Sequence, residues 1–113
     1  MIHVYLDDYR TCPEGFVLVR NAEECLLLLQ ECDVDVLSLD YGLGWGQPNG
    51  MDVVGGIIAS NRYPKRIYLH TSSDSGRQHM FQALYASKPE QVLLVNGPMP
   101  SALLTGIAEN VKE

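Results

Sequence analysis

The sequence predicts an α/β domain built on a parallel sheet. Short apolar strands alternate with segments of helical periodicity along the chain, and acidic or hydroxyl residues stop three of the strands. Scale agrees: 113 residues, 46% hydrophobic and 19% charged, suit one closed core and are too few for two. No internal repeat, low-complexity stretch or linker interrupts the pattern, so residues 1–113 are read as a single domain.

Ile2-His3-Val4-Tyr5-Leu6 is the first strand, stopped by Asp7-Asp8, and Phe16-Val17-Leu18-Val19 is the second. Only nine residues, Asp7 to Gly15, separate them. A parallel crossover that carries a helix takes a dozen or more. Either the first helix is reduced or missing, or the two strands pair differently, and the reduced helix is the reading preferred. Cys12-Pro13-Glu14-Gly15, proline early and glycine late, reads as a tight turn in its place. Asn21 caps the next helix, and Glu24 three residues on completes a capping box. Ala22, Cys25, Leu26, Leu29 and Cys32 form its inward stripe; Leu27 falls off it.

Val34 to Leu39 is a buried strand ending at Asp40. A glycine-rich loop, Tyr41 to Gly50, follows, with Trp45 in it as a hydrophobic anchor or a stacking lid. The next helix runs from Met51 to Asn61 with Met51, Val54, Ile57 and Ile58 inward. Gly55-Gly56 inside it cost about 1 kcal/mol each relative to Ala, which close packing on the sheet would offset. Arg66 to His70 is the fourth strand, leading into Thr71-Ser72-Ser73. A helix over Asp74 to Ser87 presents Met80, Phe81 and Leu84, and Gln91 to Val95 is the fifth strand. Pro100 to Val111 closes the pattern as a helix with Leu103, Leu104, Ile107 and Val111 inward.

Charge and length exclude several classes of function. Eight Lys+Arg against 14 Asp+Glu leave a formal charge of −6, the wrong sign for generic duplex nucleic-acid binding, which runs on cations displacing counterions from phosphates. No apolar run approaches the roughly 18 residues that cross a bilayer, and Met1-Ile2-His3-Val4 lacks the basic flank of a signal peptide. Cys25 and Cys32 lie two helical turns apart, roughly 10 Å along the axis, too far for a disulfide or a shared metal. With Cys12 they are read as small hydrophobes in a reducing cytoplasm.

In an open α/β sheet, ligands collect at the carboxyl ends of the strands. Those ends carry Asp7-Asp8, Arg20, Asp40, His70-Thr71-Ser72 and Asn96. Three acids gathered there would repel one another unless a divalent cation sat between them, and hard oxygen ligands of this kind suit Mg²⁺. The alternative is that each Asp only ends a strand or caps a turn.

An acidic pair after the first strand, an Asp after the third, Asn49-Gly50 opening the following helix and Thr71-Ser72 after the fourth resemble response-regulator receiver domains. The strings Tyr5-Leu6-Asp7-Asp8, Leu37-Ser38-Leu39-Asp40-Tyr41 and His70-Thr71-Ser72-Ser73 are similar to one offshoot, the cyclic-phosphate processing receiver domains. The resemblance implies a flavodoxin-like three-layer sandwich with a five-stranded parallel sheet ordered 2-1-3-4-5. It implies Asp40 as the phosphoacceptor position, Asp7 and Asp8 as Mg²⁺ ligands and Thr71 as the hydroxyl on the phosphoryl group. Receivers also carry a Lys before a proline at the end of the fifth strand. Here Val95-Asn96-Gly97-Pro98 puts an uncharged residue in that place, which speaks against an ordinary two-component regulator.

The residues after the fourth strand offer phosphate chemistry instead. Ser72 and Ser73 open a helix whose free N–H groups bind phosphate, Gly76 would let a ligand approach the backbone, and Arg77 can add a charged contact. His70 can exchange a proton near neutral pH, while His3 and His79 are read as structural and surface residues. The function expected is phosphoester chemistry on a cyclic or terminal phosphate of a nucleotide or RNA end. Asp7, Asp8 and Asp40 would hold Mg²⁺, with Asp40 also a candidate nucleophile. His70 and Thr71 would act on the phosphate, and Ser72, Ser73 and Arg77 would hold it. The rival is a non-catalytic module that docks a protein partner, with the off-stripe Leu27 and Val53 as its apolar patch.

Overall fold

The computed structural model describes residues 1–111. Its elements in chain order are β1 (Ile2–Leu6), β2 (Val17–Val19), α1 (Ala22–Glu31), β3 (Val34–Leu39), α2 (Gly50–Ser60), β4 (Arg66–Leu69), α3 (Asp74–Ser87), β5 (Leu93–Val95) and α4 (Ser101–Val111). The strands form one sheet, β2-β1-β3-β4-β5, with every neighbouring pair parallel. This is the receiver order expected above. Among the described residues no helix is long and apolar enough to cross a membrane.

Alternation along the strands sorts the core into two faces. Val4, Leu6, Leu37, Leu39, Ile67 and Leu69 point to one face, under Cys25 and Leu29 of α1, Val53 and Ile57 of α2, and Met80 and Leu84 of α3. Tyr5, Val36 and Tyr68 point to the other, under Met99 and Ile107. Among the described residues the second face has only α4 as a helical cover. The β1–β2 connection forms no helix, and Cys12, Phe16 and Leu18 pack into that face instead. The Phe16 N–H bonds the Pro13 carbonyl at 3.3 Å, and Gly15 turns the chain at φ +92°. A Cβ at Gly15 would strike Ile107 and Val111 of α4, so the turn is pressed against that helix.

Several local expectations need correction. Asn21 accepts the Glu24 N–H at 2.9 Å, but the Glu24 carboxylate reaches back to the Arg20 N–H, so the box is displaced by one residue. The full reciprocal box belongs to α2, between Asn49 and Asp52. β5 starts at Leu93 rather than Gln91 because the Val92 N–H closes a turn on the Pro89 carbonyl. Val53, expected at the surface, is fully buried: α2 lies between α1 and α3 and buries a wider stripe than a flanking helix does. Leu27 does stay exposed. Gly56 packs on Leu26 of α1, not on the sheet, and Gly55 faces open space. Trp45 is fully exposed and anchors nothing.

Candidate functional site

β1 and β3 are neighbours, so Asp7 and Asp40 follow them side by side at the carboxyl edge of the sheet. The Asp7 N–H bonds Val19 and the Asp40 N–H bonds Leu6, which extends the ladders through both acids. Both are buried, at 0% and 3% exposure. Asp7 Oδ1 accepts the N–H groups of Tyr9 (2.9 Å) and Arg10 (2.8 Å), so the carboxylate closes its own loop. Asp40 Oδ1 accepts the Tyr41 N–H at 2.8 Å. The two Oδ2 atoms share one cation: Arg10 Nη1 lies 2.9 Å from that of Asp7 and 3.2 Å from that of Asp40.

His70 completes the cluster from β4, its N–H bonded to the Leu39 carbonyl. Its Nε2 is 2.9 Å from Asp7 Oδ2, its Nδ1 meets the hydroxyl of buried Ser38, and its ring stacks on Tyr5 at 4.4 Å. These contacts fix the tautomer. An ionised Asp7 only accepts, so Nε2 carries the proton; burial disfavours imidazolium, so Nδ1 accepts from Ser38. One ligand atom each from Asp7, Asp40 and His70 lie within 4.8 Å of one another.

The two acids titrate in opposite directions. Burial pushes the Asp7 carboxyl up, but the Arg10 and Tyr9 N–H groups, the Arg10 guanidinium and His70 together outweigh it and hold it at about 2. Asp40 is raised, chiefly by burial and further by the charge of Asp7, against bonds from Thr71 and the Tyr41 N–H. Burial also lowers His70, opposed by Asp7 and Asp40.

The remaining expected residues are placed differently. Asp8 stands outside the three-residue cluster, half-buried, and its Oδ1 is buried with no hydrogen-bond partner among the described residues. Thr71 supports Asp40 and accepts the Ser73 N–H at 3.1 Å. Ser73 caps α3 through the Gly76 N–H, and Ser72 is exposed. Arg77 is held away from the acids by Asn96 Oδ1 (3.2 Å) and Asp74 (3.1 Å). Gly76 does not open the backbone to a ligand. The Tyr41 ring fills that space, and a Cβ at Gly76 would overlap it.

Arg10, Ser38 and Tyr5 were not singled out from the sequence. Two carried a signal: Arg10 follows an acidic pair within three residues, and Ser38 is a lone hydroxyl near the end of an apolar strand. One surface cavity, about 120 Å³ and lined by Met1, Cys32, Val34 and Lys65 among others, lies at the opposite edge of the sheet. Its Arg62 is committed to the carbonyls of Leu29, Gln30 and Cys32, where it caps α1.

No curated protein matches the chain. The family model described as Cyclic-phosphate processing Receiver domain matches residues 2–86, from β1 into the last turn of α3. That stretch contains Asp7, Asp40, His70 and the loops that join them, and excludes Asn96 and α4. By sequence over most of its length and by sheet order, the chain belongs to the cyclic-phosphate processing receiver domain family.

Proposed function

We propose that this protein acts on phosphoesters, with a cyclic or terminal phosphate of a nucleotide or RNA end as substrate, in a Mg²⁺-dependent pocket at the carboxyl edge of the sheet. The observation that carries the reading is the meeting of two buried carboxylates and a histidine at that edge in a member of this family. The donor set fits the ion. Asp7 and Asp40 offer hard oxygens, and Asp8 Oδ1 is a buried acceptor without a donor among the described residues. Asp7, Asp8 and Asp40 would hold it, while His70 keeps its Nε2 proton and orients Asp7. A bound Mg²⁺ would neutralise phosphate charge and polarise the phosphorus centre.

The chain supplies the rest. Thr71 and the N–H groups opening α3 hold phosphate oxygens, and Arg77 turns from Asn96 to join them. In hydrolysis of a cyclic phosphate, a water oxygen bonds phosphorus and one ring P–O bond breaks. The departing alkoxide takes up the proton that the attacking water releases, while neutral His70 keeps its own and holds Asp7 in place. Attack by Asp40 itself is the covalent variant of the same step. A reducing cytoplasm suits the three free thiols.

One observation favours a second reading, a non-catalytic binding module: Arg10 already supplies one positive charge to the acid pair without a metal. Assay of 2′,3′-cyclic nucleotides and cyclic-phosphate RNA ends separates the two. Turnover that needs Mg²⁺ and falls by at least about 100-fold in Asp40→Asn supports the enzyme. Absence of turnover with every such substrate leaves the binding module.

A further inference from the structure

Arg10 stands where a metal ion would have to act. A single nitrogen, Nη1, bridges the Oδ2 atoms of Asp7 and Asp40, and these are the hydrogen bonds its guanidinium makes among the described residues. Two adjacent carboxylates with almost no access to water need a positive charge, and Arg10 supplies it from within the chain. We infer that Arg10 is a resident counter-cation, and that Mg²⁺ and the Arg10 guanidinium are mutually exclusive occupants of this acid pair. The inference rests on the Mg²⁺ pocket proposed above.

The local structure lets the side chain leave without unmaking the loop. The Arg10 backbone N–H is tied separately to Asp7 Oδ1, the other oxygen of that carboxylate. The side chain is 28% exposed, so a route to solvent is open. The exposed Tyr9 ring, 4.8 Å from the guanidinium carbon, offers it an outer resting face. A divalent ion taking the two Oδ2 atoms would meet a full positive charge hydrogen-bonded to both. Metal affinity is therefore set by a competition within the chain, and the metal-free protein is kept folded by the residue that the metal displaces.

The test is a Mg²⁺ titration without any phosphoester, by calorimetry and by the amide signals of Tyr41 and Thr71, on wild type, R10Q and R10K. R10Q should bind Mg²⁺ about tenfold more tightly than wild type, the equivalent of one charge-assisted hydrogen bond. R10K keeps the charge and should stay near wild type. A merely structural role for Arg10 would weaken metal binding in R10Q, not strengthen it. Equal, weaker or absent binding in R10Q overturns the inference. Should R10Q fail to fold, the Arg10 side-chain N–H signal of wild type decides: it moves on addition of Mg²⁺ if the guanidinium is displaced, and an unmoved signal overturns the idea. Turnover is read separately. Tighter binding in R10Q without turnover keeps the counter-cation and removes the phosphoesterase. Mg²⁺-dependent turnover without tighter binding does the reverse.

Discussion

Asp7 is heavily committed, with two backbone N–H groups, one guanidinium and one imidazole on its two oxygens. Its carboxyl is held at about 2 against an ordinary 3.8. It therefore contributes stability that is complete above pH 3.8 and is lost as pH falls through 2, about 2 kcal/mol in all. Asp40 works the other way, since its raised carboxyl favours the protonated folded state and removes stability as pH rises. His70, lowered by burial, removes stability as pH falls below 6.5. Urea unfolding between pH 2 and 5 should show a rise with pH that Asp7→Asn flattens; an unchanged profile would contradict these assignments. Asn96 sets a further expectation. Without a Lys at the end of β5, and with Arg10 displaced from Asp40 when Mg²⁺ is bound as inferred above, an acyl phosphate on Asp40 lacks its usual partner. At an effective dielectric of ~20, a charge at ~4 Å is worth about 4 kcal/mol before desolvation. Acetyl phosphate with Mg²⁺ should leave no stable phosphoprotein in intact mass spectra. Stoichiometric labelling would restore a signalling receiver.

At the scale of elements, glycines decide how closely the helices approach the site. A Cβ at Gly50, the first residue of α2, would sit 2.5 Å from the Asp40 carbonyl oxygen and 2.6 Å from Met80 Sδ. The backbone that carries Asp40 cannot retreat, because the Gly50 N–H is bonded to the Tyr41 carbonyl at 2.7 Å. Gly50→Ala should cost about 1–3 kcal/mol by overpacking and displace the loop after β3. Gly55, one turn further along α2, faces open space in regular helix. Gly55→Ala should stabilise by about 0.4–1 kcal/mol. Chemical denaturation of the pair is the check: two changes of the same sign would mean that helix propensity, rather than contact with Asp40, governs both positions.

For the whole molecule, the consequence of the missing first helix is an uneven sandwich. Three helices cover one face of the sheet; α4 and the Cys12–Leu18 stretch cover the other. Ile107 joins the two halves of that cover, packed in the second core and within reach of Gly15. Ile107→Ala should destabilise by about 2–5 kcal/mol, the range for truncating a buried aliphatic side chain. The same truncation at exposed Leu27 should cost under about 0.5 kcal/mol. Melting curves of the two variants measure the difference. Near-equal losses would show that α4 is not what holds the second face.

The alternation of apolar strands with helical stripes was sufficient for the fold class, and the nine residues between the first two strands were sufficient for the missing helix. Both are properties of chain spacing and need no knowledge of neighbours. Asp7, Asp40, His70 and Thr71 were legible for a related reason: strand ends in a parallel sheet converge on one edge. Tertiary structure alone decided which charges meet there. Arg10 reaches Asp40 thirty residues along the chain, Ser38 and His70 come from neighbouring strands, and Arg77 turns to Asn96 instead of to the acids. Side-chain direction at a loop is set by packing in three dimensions, and no periodicity reports it. Val53 shows the same limit in the core. Its place on α2 marks it as outside the stripe, yet the flanking helices α1 and α3 bury it, because burial depends on what packs beside a helix as well as on the helix itself.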